Sequence, residues 1–248
     1  MLKYGDKTSL RIIRLVLSTT LVTVATIIFT IYVPATRGYF NLGETMVYFT
    51  ALYFGPFIGA FAGGVGSALA DLLLGYIHYA PATLLIKAGE GWVAGYLAQK
   101  FIYREKTTTI FLLSLLVSFI YLGLLLMIGA TVLSGEAEVY LTTFMIFGGY
   151  LDPAIWYFIG VLALATPIYL ALRSRRSEGL LILILMIAGA VMVSGYFLYE
   201  QFLLGYYALA EVPINLAQVY LGIAVAVPLY KAVENITSKH VKPQKLVQ

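Results

Sequence analysis

The stretch from residue 10 to 33, LRIIRLVLSTTLVTVATIIFTIYV, carries charge only in its first turns, at Arg11 and Arg14. It is long enough to cross a bilayer, for which about 20 mostly apolar residues suffice. Comparable runs recur down the chain, so lipid is the solvent that this sequence must satisfy. Only 11% of the residues are charged and 61% are hydrophobic, with a mean hydropathy of +0.90. Soluble domains carry roughly 25% charged residues, so there is too little polar surface here to coat a water-facing globule. The same figures exclude fibrous and disordered classes. The 248 residues leave room for about seven to nine spans and for no soluble domain beside them. A basic start followed by so long an apolar run, with no small-residue cleavage site, reads as a retained first span rather than a signal peptide.

Turn signals divide the chain into eight apolar segments. The first covers 10–33 and stops at Pro34. The second and third share 43–75 and are separated at Gly55-Pro56, a natural helix boundary. The fourth runs over 81–101, opened by Pro81 in a first-turn position. The fifth covers 109–133, the sixth 153–172, the seventh 179–201 and the eighth 212–231. The stretch 139–150 (VYLTTFMIFGGY) reads two ways, as an extension of the sixth span or as an interfacial segment.

Basic residues test this count, because Lys and Arg near span ends favour the cytoplasmic side. With eight spans, Lys3, Lys7, Arg11 and Arg14 share a side with Lys100, Arg104 and Lys106. Arg173, Arg175 and Arg176 fall there too, as do Lys231, Lys239, Lys242 and Lys245, making fourteen of the 16 basic residues. The opposite side holds Arg37 and the acids Glu44, Glu136, Glu138, Asp152, Glu200 and Glu211. One span more or fewer would scramble that division, so both termini are expected in the cytoplasm. Clusters this small at span ends are topology signals, and nucleic acid is not a partner they call for.

Charge inside the membrane is costly and usually faces a cavity or a partner. Lys87 and Glu90 in the fourth segment are three residues apart and share a helix face. They form a structural ion pair, or they face a polar ligand. Asp71 lies near the outer end of the third segment. In the eighth, Glu211-Val-Pro213-Ile-Asn215-Leu-Ala-Gln218 puts Asn215 and Gln218 on one face, about a turn below the outer surface. Amides there either hydrogen-bond a ligand as donor and acceptor or join helices to each other. The outer loop Arg37-Gly38-Tyr39-Phe40-Asn41-Leu42-Gly43-Glu44 has the composition of a mobile lid with stacking groups. An interfacial aromatic belt would use the same residues. Gly55, Gly59, Gly63, Ala70, Gly91 and Gly95 permit close helix packing. Thr19 and Thr23, four apart in the first span, are candidates for packing against another subunit.

The chain has no cysteine and only His78 and His240, which removes thiolate chemistry and makes a histidine metal cluster unexpected. No Walker A motif, HExxH or Ser/His/Asp set is present, so no cofactor or metal is called for, and ATP-driven work would need other subunits.

The run GYFNLGETMVYFTALYFGPFIGAFAGGVGSALADLLLGYIHYAPATLLIKAGEGWVAGYLA (38–98) resembles the N-terminal half of the substrate-binding S components of energy-coupling factor (ECF) vitamin transporters, and most of all the riboflavin-type branch. The segment GYFLYEQFLLGYYALAEVPINLAQVYLGIAVAVPLYKAV (195–233) resembles the last two helices of the same family. The resemblance implies an all-α integral membrane protein with a six-helix core. Core helices one to four would occupy 11–104 and the last two 179–233, with an inserted helix pair at 105–178 and a cytoplasmic tail at 234–248. It also implies a vitamin-capture subunit in the plasma membrane of a prokaryote, docked on a transmembrane coupling protein and two cytoplasmic ATPases. The binding residues it points to are Asn41, Glu44, Lys87, Glu90, Glu211, Asn215 and Gln218, which Asp71 joins from the charge pattern. Thr19-x-x-x-Thr23 stands where the family has an Ala-x-x-x-Ala face for the coupling protein. Riboflavin binders resemble Pro-Phe-Asn-x-x-Lys in the last helix, whereas this chain has Pro213-Ile-Asn215-x-x-Gln218 and lacks that cation. Three rivals remain open: a solitary carrier without ATPases, an intramembrane enzyme using Asp71, Lys87 and Glu90, and a scaffold with no ligand.

Overall fold

A computed structural model describes residues 7–33, 38–101, 135–141, 144–155 and 176–240, with isolated positions between 116 and 165. Six helices carry most of the described chain: α1 (Lys7–Ile28), α2 (Gly43–Phe54), α3 (Pro56–Leu74), α4 (Ala80–Phe101), α5 (Arg176–Leu204) and α6 (Glu211–His240). Two antiparallel hairpins accompany them, β1 (Thr30–Val33) with β2 (Gly38–Asn41), and β3 (Gly135–Leu141) with β4 (Phe144–Leu151). Four helices are long and apolar enough to cross a membrane: α1, α3, α5 and α6. α4 is as long as α1 but carries Lys87, Glu90 and Lys100. α2 has 12 residues, about 18 Å of helix at 1.5 Å per residue, well short of a full crossing. The expected fifth segment and most of the sixth lie outside the described residues.

Local signals account for most of these boundaries. Gly55 adopts φ 88° between α2 and α3, and Pro56 opens α3 in the first turn, where its missing N–H costs nothing. α3 ends at Gly75, whose left-handed φ of 89° lets Tyr76 N reach back to Asp71 O at 2.8 Å. The first helix departs from expectation by stopping at Ile28. The β-branched stretch Thr30-Ile31-Tyr32-Val33 instead pairs with Gly38–Asn41, Thr30 opposite Asn41 and Val33 opposite Gly38. The outer loop is therefore half of a hairpin rather than an irregular lid. The ambiguous stretch 139–150 likewise does not form a helical extension of the sixth span. It belongs to the β3–β4 hairpin, which runs close to β1.

Buried apolar residues gather where α2, α4, α5 and α6 meet, around Tyr48, Leu185, Met186, Met192, Leu216, Val219 and Ile223. The outward faces of α1 and α3 are apolar instead, with Ile12, Val16, Leu17, Phe57 and Leu73 exposed as a lipid-facing surface requires. α3 and α4 cross with backbones in contact. A Cβ built on Gly91 would lie 2.3 Å from Gly59 O, and one on Gly59 would lie 2.9 Å from Gly91 O. This crossing brings the Lys87 turn of α4 against α3. Gly91→Val should therefore force the helices apart and cost about 1–3 kcal/mol or more. The check is a lower thermal midpoint of the detergent-solubilised protein, whereas Gly75→Asn, at a site open to space, should shift it far less.

Candidate functional site

The α3–α4 contact turns the charged face of α4 inward. Lys87 Nζ pairs with Glu44 Oε1 of α2 and lies 3.3 Å from Glu90 Oε2 on its own helix. Tyr48, one turn beyond Glu44, donates to Glu90 Oε1 at 2.8 Å. All three charged groups are buried, with Glu90 at 0% exposure. An unpaired charge at such a site costs several kcal/mol, and removing one partner of a buried pair is more damaging than replacing the whole set. The two carboxylates therefore make the Lys87 ammonium tolerable, and Lys87 ties α2 to α4.

Lys87 also faces a recess of about 480 Å³, counting its mouth. Its walls come from β2 (Tyr39, Asn41), α3 (Ser67, Asp71), the turn into α4 (Tyr79), α4 itself (Thr83, Lys87), α5 (Tyr196, Glu200) and α6 (Glu211, Asn215, Gln218). Small-molecule pockets are mostly apolar with a few polar groups. Here every lining residue but Gly38 carries a polar side-chain group. The structure brings six of the expected site residues to it: Asn41, Asp71, Lys87, Glu211, Asn215 and Gln218. Glu44 and Glu90 stand behind Lys87 rather than in the lining.

Hydrogen bonds tie the β1–β2 hairpin across the recess. Tyr39 Oη donates to Asp71 Oδ1 at 2.5 Å. Burial and the neighbouring Asp71 push the Tyr39 phenol well above its ordinary range, so it stays a donor. Asn41 N donates to Gln218 Oε1 at 2.8 Å, and Gln218 Nε2 donates to Asn215 Oδ1 at 3.0 Å. The two amides of α6 thus form a short chain that ends on the hairpin. On the opposite wall, Tyr196 Oη donates to Thr83 Oγ1 at 3.0 Å.

Thr19 and Thr23 are turned toward α3. Thr23 Oγ1 donates to Gly66 O at 2.9 Å and to Thr19 O at 3.0 Å, so the contact of this pair within the described residues is intramolecular. Six lining residues were not singled out from the sequence as ligand contacts: Thr26, Ser67, Tyr79, Thr83, Tyr196 and Glu200. Tyr196 and Glu200 are four apart and share one face of α5. That spacing could have marked them, but Glu200 counted only as an acid on the outer side.

The model of the family described as ECF-type riboflavin transporter, S component, matches residues 8–174, more than half of the chain. The chain belongs to this family. It is thus a multi-pass membrane component of a transporter and not an enzyme. The match runs across 105–174, most of the stretch expected to be an insertion, and stops before α5 and α6. An uncharacterized protein in the gap 3' region of Pyrococcus woesei is 49% identical over 78 residues, 32% of this chain. The chain spans about half, 52%, of that relative's length.

The charge triad gives a test of its own. Lys87→Met should cost about 3–5 kcal/mol by leaving two carboxylates without their cation. Lys87→Met combined with Glu44→Gln and Glu90→Gln should recover most of that loss. Thermal unfolding of the three proteins in one detergent checks the order.

Proposed function

We propose that this S component captures a small, water-soluble vitamin or vitamin precursor from the outside and releases it inward. The release is driven by a transmembrane coupling protein and two cytoplasmic ATPases. The observation that carries this reading is the polar recess itself, walled by the first outer hairpin and the last helix in a chain of this family. Asn41, Asp71, Lys87, Glu211, Asn215 and Gln218 would contact the ligand, while Glu44 and Glu90 would hold Lys87 in place behind it. The Asn41–Gln218 and Tyr39–Asp71 bonds support a hairpin that closes over the bound molecule. The basic clusters support cytoplasmic termini in a prokaryotic plasma membrane, with the recess facing out. Gln218 in place of a lysine supports a ligand other than riboflavin.

Mass spectrometry of small molecules that co-purify with the full chain tests the proposal. It should recover one polar compound chemically unchanged, and Asn215→Ala should lower its retention about tenfold, as expected for loss of one to two hydrogen bonds. In membrane vesicles, uptake of that compound should require the coupling protein and the ATPases. A protein that retains nothing, and whose thermal midpoint no vitamin raises, would sink the reading. Uptake persisting without the ATPases would leave capture intact and remove the coupling.

A further inference from the structure

Among the described residues that line the recess, carboxyl groups outnumber basic side chains. Among the described residues Lys87 is the one buried basic side chain, and Glu44 and Glu90 already neutralise it. The rest of the lining contributes three carboxyl groups, Asp71, Glu200 and Glu211, each no more than 3% exposed. Asp71 accepts from Tyr39 with one oxygen, but its Oδ2 is buried without a hydrogen-bond partner, and so is Oε2 of Glu200. Buried polar atoms in native proteins are seldom left unsatisfied, and an acceptor in a recess invites a donor from whatever enters. An anionic ligand would meet these carboxyl groups, while Lys87, the basic side chain of the described lining, already has two carboxylate partners.

A second observation narrows the class. Among the described residues no three acidic or histidine side chains come close enough to hold a metal ion. The carboxyl groups come from three helices, Asp71 from α3, Glu200 from α5 and Glu211 from α6. Three phenol rings, Tyr39, Tyr79 and Tyr196, line the same space. Aromatic rings beside carboxylates are a recurrent arrangement around nitrogen cations, which the ring faces attract.

Resting on the capture role proposed above, we infer that the ligand is an organic nitrogen cation. It is a protonated amine, a protonated amino-substituted heterocycle or a quaternised ring, held by Asp71, Glu200 and Glu211 beside these tyrosine rings. The Asn215–Gln218 amides then read the neutral polar edge of the molecule, and Lys87 with its two glutamates closes the inner end.

The test is a binding panel on the purified full-length protein in one detergent, read by calorimetry and thermal shift. Thiamine and pyridoxamine serve as cationic probes, riboflavin as the neutral probe, and pantothenate and biotin as anionic probes. The expected result is binding confined to the cationic probes. Glu200→Gln and Asp71→Asn should each weaken it about tenfold or more, as loss of a charge-assisted hydrogen bond implies. Their thermal midpoints without probe should hold or rise, because each substitution removes a buried carboxylate. If one variant fails to fold, the other carries the comparison. Binding of riboflavin or an anionic vitamin, with the cations inert, overturns the charge assignment and leaves the capture role standing. Cation binding that survives both substitutions undiminished also overturns it. A panel with no binder of any charge overturns both.

Discussion

The ion triad of Lys87 with Glu44 and Glu90 is the constraint from which the rest of the site follows. An ammonium at this depth is tolerable only with carboxylates against it, which fixes how α2 and α4 meet. Contact between α3 and α4 at Gly59 and Gly91 supplies the room. The pairing also uses up the one buried cation among the described residues. The rest of the described lining is acidic or neutral, and the electrostatic character of the site is decided at its base.

From that base the site is closed by the hairpin at the other end. β1 and β2 are short, and a two-stranded ribbon alone is marginal in water. Two side-chain links hold it to the helices, Tyr39 to Asp71 on α3 and Asn41 to Gln218 on α6. Both links involve residues of the lining. A ligand that competes for Asp71 or Gln218 therefore acts on the hairpin's attachment as well as on the recess, and binding and closure share the same few polar atoms.

Much of the helical plan was legible because its punctuation is local. Pro56, Gly75 and Pro81 mark helix ends by backbone geometry that few other residues favour, and the structure places ends beside all three. The hairpins were not legible, since an apolar β-branched run such as TIYV has no period that separates strand from buried helix. Only its pairing with GYFN decides it. In the site, Lys87 with Glu90 and Asn215 with Gln218 were visible because residues three apart share a helix face. Glu200 escaped because the same acid serves equally well as a marker of the outer side. Glu44 drew notice as a ligand contact, while its place behind Lys87 depends on how α2 packs, which no local pattern encodes.

The distribution of unsatisfied atoms bears on why such a site persists. Oδ2 of Asp71 and Oε2 of Glu200 are buried with no partner among the described residues, and each such atom costs about 1–3 kcal/mol of stability. A scaffold under selection for stability alone would replace them with apolar groups at little loss. Their cost is offset only when a ligand supplies the missing donors, and that gain appears as stabilisation rising with the logarithm of ligand concentration. A residue of this kind lowers the stability of the fold and raises the selectivity of the recess by the same physics. That trade is characteristic of a binding site and has no use in a helix packing surface, so Asp71 and Glu200 argue for capture more directly than the Lys87 triad, which structural pairing alone would explain.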